Sequence, residues 1–378
     1  MNAEMIRFGL KITDFDWYWE YGLSLDDVIE KLLGLGVRFV SAYNKYLPGA
    51  DSAVPTAVPA GGAVFNDRAF RDKLRKAGIA YFGYLNFGFH EDGIKKCHNY
   101  AVDQAGKRLE KIDWYIGACP SSDEFVRSRL SVLEEAMRHL DMDGVHLGFM
   151  RFPGFWELAL PGTFEPDVWP EYCFCGRCLA AFSEKTGIAL PRGNTAEKAA
   201  FLRGPARKEW TGFKCAVIRN VIDRLRSCIR HCNKDALVML NTVPFNAARY
   251  GSGGKDFFGQ DITLFSDVVD VFEVMGYHQI LAQPAGWLTE TSNYFKSLTD
   301  RPVICTVQGA ALYTKGMHAG KGRLENIGPA EFEAALAAVS RSRADGAAVF
   351  TLSDVFRREY GEHDVSFGNA IRKHFAAP

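Results

Sequence analysis

Three carboxyl-bearing residues stand where chemistry is expected: Asp14, Glu273 and Asp354. Glu273 is the least ordinary of them. It interrupts an apolar run of Val268, Val269, Val271, Phe272 and Val274, and glutamate is almost never left buried without a partner. Asp14 and Asp354 each follow a short β-rich run. Two carboxyl groups facing one bond can act as acid and as nucleophile or base, the arrangement that hydrolysis of a glycosidic bond uses. A glutamate serving as the acid needs a raised pKa, which an apolar strand can supply by burial. Asp16, Trp17, Asn86, His146, Arg151, Asn241, Tyr277, His278 and Gln308 also fall near strand ends. Their amides, ring nitrogens and guanidinium suit a hydroxyl-rich ligand. Trp17, Trp156 and Trp287 are candidate stacking faces.

A second constellation is Cys173, Cys175 and Cys178, a Cys-x-Cys-x-x-Cys run. Three thiols so close in a reducing compartment point to a metal rather than to disulfides. Tetrahedral zinc wants a fourth ligand, and Cys119 is the candidate. Four thiolates make a closed, structural site with no position for water. Metal-free reduced cysteines are the alternative. Cys228 and Cys232, one helical turn apart, read as packing residues. Nothing in the chain calls for an organic cofactor.

The elements that must position these groups alternate in type. Eight β-rich runs are predicted at 6–12, 37–43, 79–85, within 143–153, and at 236–243, 268–275, 302–307 and 346–352. Amphipathic helices separate them. Ser24 with Asp27 and Ser121 with Glu124 have capping-box spacing, and a hairpin is predicted around 103–107. A Pro/Ala/Gly-rich loop covers about 47–64. Eight β-then-α units without a break predict a single (β/α)8 TIM barrel over residues 1–378, with an insertion at 154–194 carrying the cysteines. Active sites of such barrels lie at the C-terminal ends of the strands. A doubly wound open sheet is the alternative, weakened because no Gly-x-Gly-x-x-Gly follows the first strand.

Composition bounds the rest. Of 378 residues, 47% are hydrophobic, enough for a large core. Lys plus Arg equals Asp plus Glu at 45 each, which argues against a nucleic-acid partner. No apolar run approaches a membrane span, and the N-terminal residues lack a signal pattern, so a soluble cytoplasmic protein is expected. The oligomeric state, a homo-oligomer included, is left open by the sequence.

The segment Asp143 to Pro153, DGVHLGFMRFP, carries a family resemblance. It resembles the strand-four signature of the hypothetical glycosyl hydrolase families, roughly DG-apolar-H/F-L-D-apolar-I-R-F/Y-P. Ala118-Cys119-Pro120-Ser121, the run Cys173 to Pro191, Gly259-Gln260-Asp261 and the run Asp270 to His278 are similar to the same group. The cysteine arrangement resembles, in spacing and loop position, the four-thiolate zinc site of family 42 β-galactosidases. The resemblance implies a TIM barrel acting on carbohydrate. It also exposes a departure: Gly148 stands where the family pattern places an Asp suited to be nucleophile.

The expectation is therefore a glycoside hydrolase using Glu273 with Asp354, Asp14 or Asp16, and with room in the pocket at Gly148. Two alternatives stand beside it. One is a catalytically altered carbohydrate-binding barrel. The other is a metal-dependent hydrolase or lyase using His90, His146 and His278.

Overall fold

The computed structural model describes residues 3–48, 65–89 and 91–376. The loop expected at 47–64 falls almost wholly outside them, as does His90. Eight parallel strands close into a barrel in chain order: β1 (Phe8–Ile12), β2 (Phe39–Ala42), β3 (Ala80–Asn86), β4 (Gly144–Gly148), β5 (Leu237–Thr242), β6 (Val271–Met275), β7 (Val303–Gln308) and β8 (Gly346–Phe350). This is the predicted (β/α)8 architecture. Nearly every strand residue is buried, because helices cover the outer face while inward side chains fill the barrel.

Parity along each strand separates the two faces. Phe39, Phe82, Met239, Val271, Ile304 and Ala348 form a compact cluster inside the barrel. Val145 and Leu147 belong to the larger core beneath the helices. Inside, aromatic rings are matched to glycines on adjacent strands. A Cβ at Gly9 would lie 2.2 Å from the Phe39 ring, and one at Gly144 would lie 2.3 Å from Phe82. The rings occupy the volume that the glycines leave, which is how a small barrel reaches interior packing density.

Capping residues fix where helices begin. Ser24 and Asp27 form the predicted capping box of helix Leu25–Gly34. The second box is displaced: Ser122, not Ser121, caps helix Asp123–Leu140 by accepting from Phe125 N. Ser121 is instead drawn to the cysteines, with Oγ 2.9 Å from Cys178 Sγ. The hairpin near 103–107 is present, with Asp103 Oδ1 accepting from the backbone N–H of Ala105 and Lys107.

Between β4 and β5 the chain makes helices Gly176–Thr186, Thr195–Arg203 and Arg207–Cys232. Fully buried Glu171 ties this region down. It accepts from Arg207 (2.6 Å), Trp210 Nε1 (2.9 Å) and Lys214 (3.1 Å). Burial alone would raise its pKa, but Lys214 and Arg207 hold it below the usual carboxylate range. No helix among the described residues is long and apolar enough to cross a membrane.

Candidate active site

The C-terminal mouth of the barrel holds a cavity of about 380 Å³, within the ~300–1,000 Å³ range of small-molecule sites. Its polar walls are Lys11, Thr13, Asp14, Ser41, Arg151 and Glu157. Its remaining wall is largely aromatic: Tyr43, Tyr84, Trp114, Phe149, Trp156, Tyr277, Tyr313 and Phe350. Flat apolar faces with a few convergent polar groups suit a sugar ring.

Glu157 and Asp14 are the carboxyls of this wall. Glu157 sits in the short turn Trp156–Leu158 after β4, and burial pushes its pKa up to about 7, against the lowering influence of Arg151. Its Oε2 is buried without a hydrogen-bond partner. Asp14 follows β1 and is part-exposed. Burial raises its pKa as well, but Ser353 Oγ donates to Oδ1 at 2.6 Å and favours the charged form. The two carboxyls therefore sit in different environments: Glu157 is fully buried with one oxygen unpartnered, and Asp14 is part-exposed and held by a side-chain hydroxyl.

One layer below the cavity lies a charged network. Glu273 on β6 is fully buried and meets Lys11 Nζ on β1 at 3.0 Å. His146 Nε2 on β4 lies 3.1 Å from Glu273 Oε2, and Asn241 Nδ2 on β5 donates to the same oxygen. Burial would raise the Glu273 pKa, but Lys11 and His146 outweigh it and hold the carboxyl well below the usual range. The expected raised pKa is thus not found, because β1 brings a cation to the apolar strand. His146 is pushed down to about 4, chiefly by burial, so its ring is neutral near pH 7. An ionised Glu273 can only accept, so His146 Nε2 carries the proton and Nδ1 accepts from Ser41 Oγ, 2.7 Å away. Lys11 Nζ also reaches the Tyr277 hydroxyl at 3.3 Å.

The room expected at Gly148 is taken. A Cβ there would lie 2.2 Å from the Tyr84 hydroxyl oxygen and 2.3 Å from its Cζ. Tyr84 is held by edge-on contacts with Tyr43 and His146, ring centroids 5.0 and 4.8 Å apart.

Of the residues singled out from sequence, Asp14, Arg151 and Tyr277 line the cavity. Glu273, His146 and Asn241 lie beneath it. The others serve elsewhere. Asp354 closes a capping box with Thr351 at helix Leu352–Phe356. Asp16 is exposed in the first turn of helix Asp16–Glu20. Trp17 and Trp287 are buried in the core, so of the three expected stacking faces Trp156 alone lines the cavity. His278 bonds Glu331 at 2.8 Å, on the helix side of the barrel wall. Gln308 donates to Gln279 Oε1 and Ala310 O, bracing the loops after β6 and β7. The Asn86 carbonyl accepts from Arg129, while its side-chain amide is buried and unpartnered.

His146 and His278 therefore belong to different networks, and among the described residues the cysteines form the one group arranged to hold a metal. Sequence reading missed Lys11, Ser41, Tyr84, Trp114, Glu157 and Tyr313 as cavity residues. Lys11 could have been found: it is the one charge in the buried strand Phe8–Ile12, as Glu273 is in β6.

The Sγ atoms of Cys119, Cys173, Cys175 and Cys178 all lie within 4.8 Å of one another. Cys119 is 3.4 Å from Cys178 and 3.8 Å from Cys175. A tetrahedron of thiolates at ~2.3 Å from a metal has edges of about 3.8 Å, so the cluster fits one ion. Val102 N donates to Cys173 Sγ at 3.3 Å. None of the four lines the cavity. The cluster can hold a metal that pins the loop after β3 to helix Gly176–Thr186.

The structural neighbours of the chain are glycoside hydrolases with the same barrel. The glycoside hydrolase domain of PgaB (BpsB) from Bordetella bronchiseptica superposes with a TM-score of 0.67 at 14% identity, covering 99% of both chains. The β-galactosidase of the psychrophilic Marinomonas ef1 gives 0.60 at 10% identity, covering 92% of this chain and 54% of its own. A catalytic mutant of Gan42B, a family 42 β-galactosidase from G. stearothermophilus, gives 0.59 at 12% identity, covering 98% and 58%. The chain thus spans a little over half of each β-galactosidase. At these identities the likeness is one of fold. No protein-family model and no curated protein sequence matches the chain.

Proposed function

We propose that this protein is a glycosidase whose chemistry takes place in the cavity between Asp14 and Glu157. The observation that carries the reading is the pairing of two cavity-lining carboxyls in contrasting environments. Glu157, with its pKa near 7, keeps a proton to give to a leaving oxygen. Asp14, supported by the Ser353 hydroxyl, serves as the ionised partner on the other side of the bond. Aromatic faces such as Trp114 and Trp156 stack on the sugar, and Arg151 and Tyr277 hold its polar groups. The glycoside hydrolase neighbours support the same class of substrate.

In this reading Glu273 is a positioning residue. Burial lowers the Lys11 pKa, and the negative charge of Glu273 opposes that lowering at the cavity floor and fixes the His146 tautomer. Gly148 supplies no acid or nucleophile, and Tyr84 replaces what a side chain there would fill. The metal is read as zinc in a structural role, since four thiolates complete a tetrahedron and leave no site for water.

The reading is tested by turnover of a panel of aryl glycosides and oligosaccharides by the wild type, Glu157→Gln and Asp14→Asn. Hydrolysis by the wild type that falls ~10²-fold or more in each variant supports it. Binding without turnover by the wild type would move the protein to the carbohydrate-binding class.

A further inference from the structure

Two buried arginines stand near the cavity mouth, and they are used differently. Arg323 spends its guanidinium on backbone carbonyls. Nε donates to Ile280 O at 2.7 Å, Nη1 to His318 O at 3.3 Å, and Nη2 to Glu157 O at 2.5 Å. It binds the loops after β4, β6 and β7 to one another.

Among the described residues, Arg151 has no such partners. It is 3% exposed and lines the cavity, yet no carboxylate among the described residues forms an ion pair with it, and its Nε is buried without an acceptor. Its guanidinium lies over the Phe149 ring, 4.9 Å from the centroid, and 5.8 Å from that of Phe258. A buried guanidinium N–H without an acceptor is costly, and stacking on rings does not satisfy it. Glu157, the nearest acidic influence on the β4 side, has its pKa raised by burial to about 7 and so carries only part of a negative charge near neutral pH. Lys11 adds a second cation at the cavity floor. Its charge is matched by Glu273, and Tyr277 takes one of its donors, which leaves one of three N–H groups for a ligand. Asp14 lies on the opposite, β1 side, so a ligand's negative charge belongs near β4.

We propose that the cavity receives a sugar bearing a carboxylate, a uronic acid, and that Arg151 anchors it. The inference rests on the carbohydrate reading of the same cavity and names the substrate class within it. A planar carboxylate accepts two parallel N–H bonds from a guanidinium fork, a fit that neutral hydroxyls do not reproduce.

The test is calorimetric binding of methyl glycosides of glucuronic and galacturonic acid, each against the same glycoside with its carboxylate methyl-esterified. The wild type binds an acid about tenfold or more tightly than its ester, the advantage of one charge-assisted pair. Arg151→Met brings acid and ester to within about twofold, and Arg151→Lys falls between, keeping the charge but losing the fork. Equal binding of acid and ester by the wild type, or binding of neither, overturns the proposal without recourse to any variant. A preference for the acid with no turnover of any glycoside removes the hydrolase reading and leaves this inference standing. Turnover of neutral glycosides with no preference for the acid does the reverse.

Discussion

The Tyr84 phenol occupies the space beside Gly148: a Cβ at residue 148 would stand 2.2 Å from the Tyr84 hydroxyl oxygen. The glycine is matched to the ring, as Gly9 is to Phe39 and Gly144 to Phe82. Read from sequence, Gly148 was a missing carboxylate and a gap. In the fold it is a packing requirement of β3 against β4.

Substitution at Gly148 is therefore expected to destabilise rather than to restore chemistry. Gly148→Ala costs ~1–3 kcal/mol by overpacking, and Gly148→Asp more, with no gain in hydrolysis. Adding Tyr84→Ala makes room, so the double variant loses less than the sum of the single losses. Urea unfolding of the four proteins checks this, and additive losses would refute the packing account.

Glu157 gives the pH dependence. As an acid with a pKa of about 7, it must be protonated for turnover, so the rate falls as pH rises through that value. Stability moves the same way. A folded pKa above the unfolded one means that the native state binds the extra proton, so stability is fullest below about pH 4.5 and declines as pH rises toward 7. The shift corresponds to on the order of 3 kcal/mol. In Glu157→Gln this contribution disappears, and the slope of melting temperature against pH between 5 and 7 becomes shallower.

Lys11 and Glu273 are a buried pair, and single removal is expected to be severe. Lys11→Met leaves Glu273 uncompensated at the centre of the barrel and costs ~3–5 kcal/mol. Replacing both by neutral residues recovers most of that loss. Thermal unfolding of Lys11→Met, Glu273→Gln and the double variant distinguishes this from two independent contributions, which would add.

The cysteine cluster predicts one tightly held zinc per chain by elemental analysis. Cys178→Ser lowers the metal content and the melting temperature. Brief exposure of the folded protein to a chelator leaves turnover unchanged, because the site is closed and apart from the cavity. Immediate loss of turnover would place the metal in the chemistry.

The barrel was legible because its strands are short apolar runs between helices, whereas the contact of His146 with Glu273 was not, because it depends on β4 and β6 meeting across the barrel interior. The four cysteines were legible from spacing, with Cys119 supplied by the adjacent loop. The cavity was less so. Asp354 ends a Thr-x-x-Asp capping motif, a competing use of a strand-end carboxylate that the sequence displays. Trp17 and Trp287 look like stacking faces but are drawn into the core, where large rings bury the most area. Glu157 read only as a structural carboxylate that could pair with Arg151, since it lies in a short turn whose approach to the cavity depends on Arg323 joining three loops.

The central claim is that Glu157 delivers the proton to the leaving group, and its dependence on the leaving group tests that most directly. Dinitrophenyl glycosides need little protonation, whereas alkyl glycosides need it fully. Glu157→Gln is predicted to retain much of its turnover on the former, to lose ~10²–10⁴-fold on the latter, and to lose the decline in rate near pH 7. An equal loss on both substrates, or an unchanged pH profile, would contradict the account.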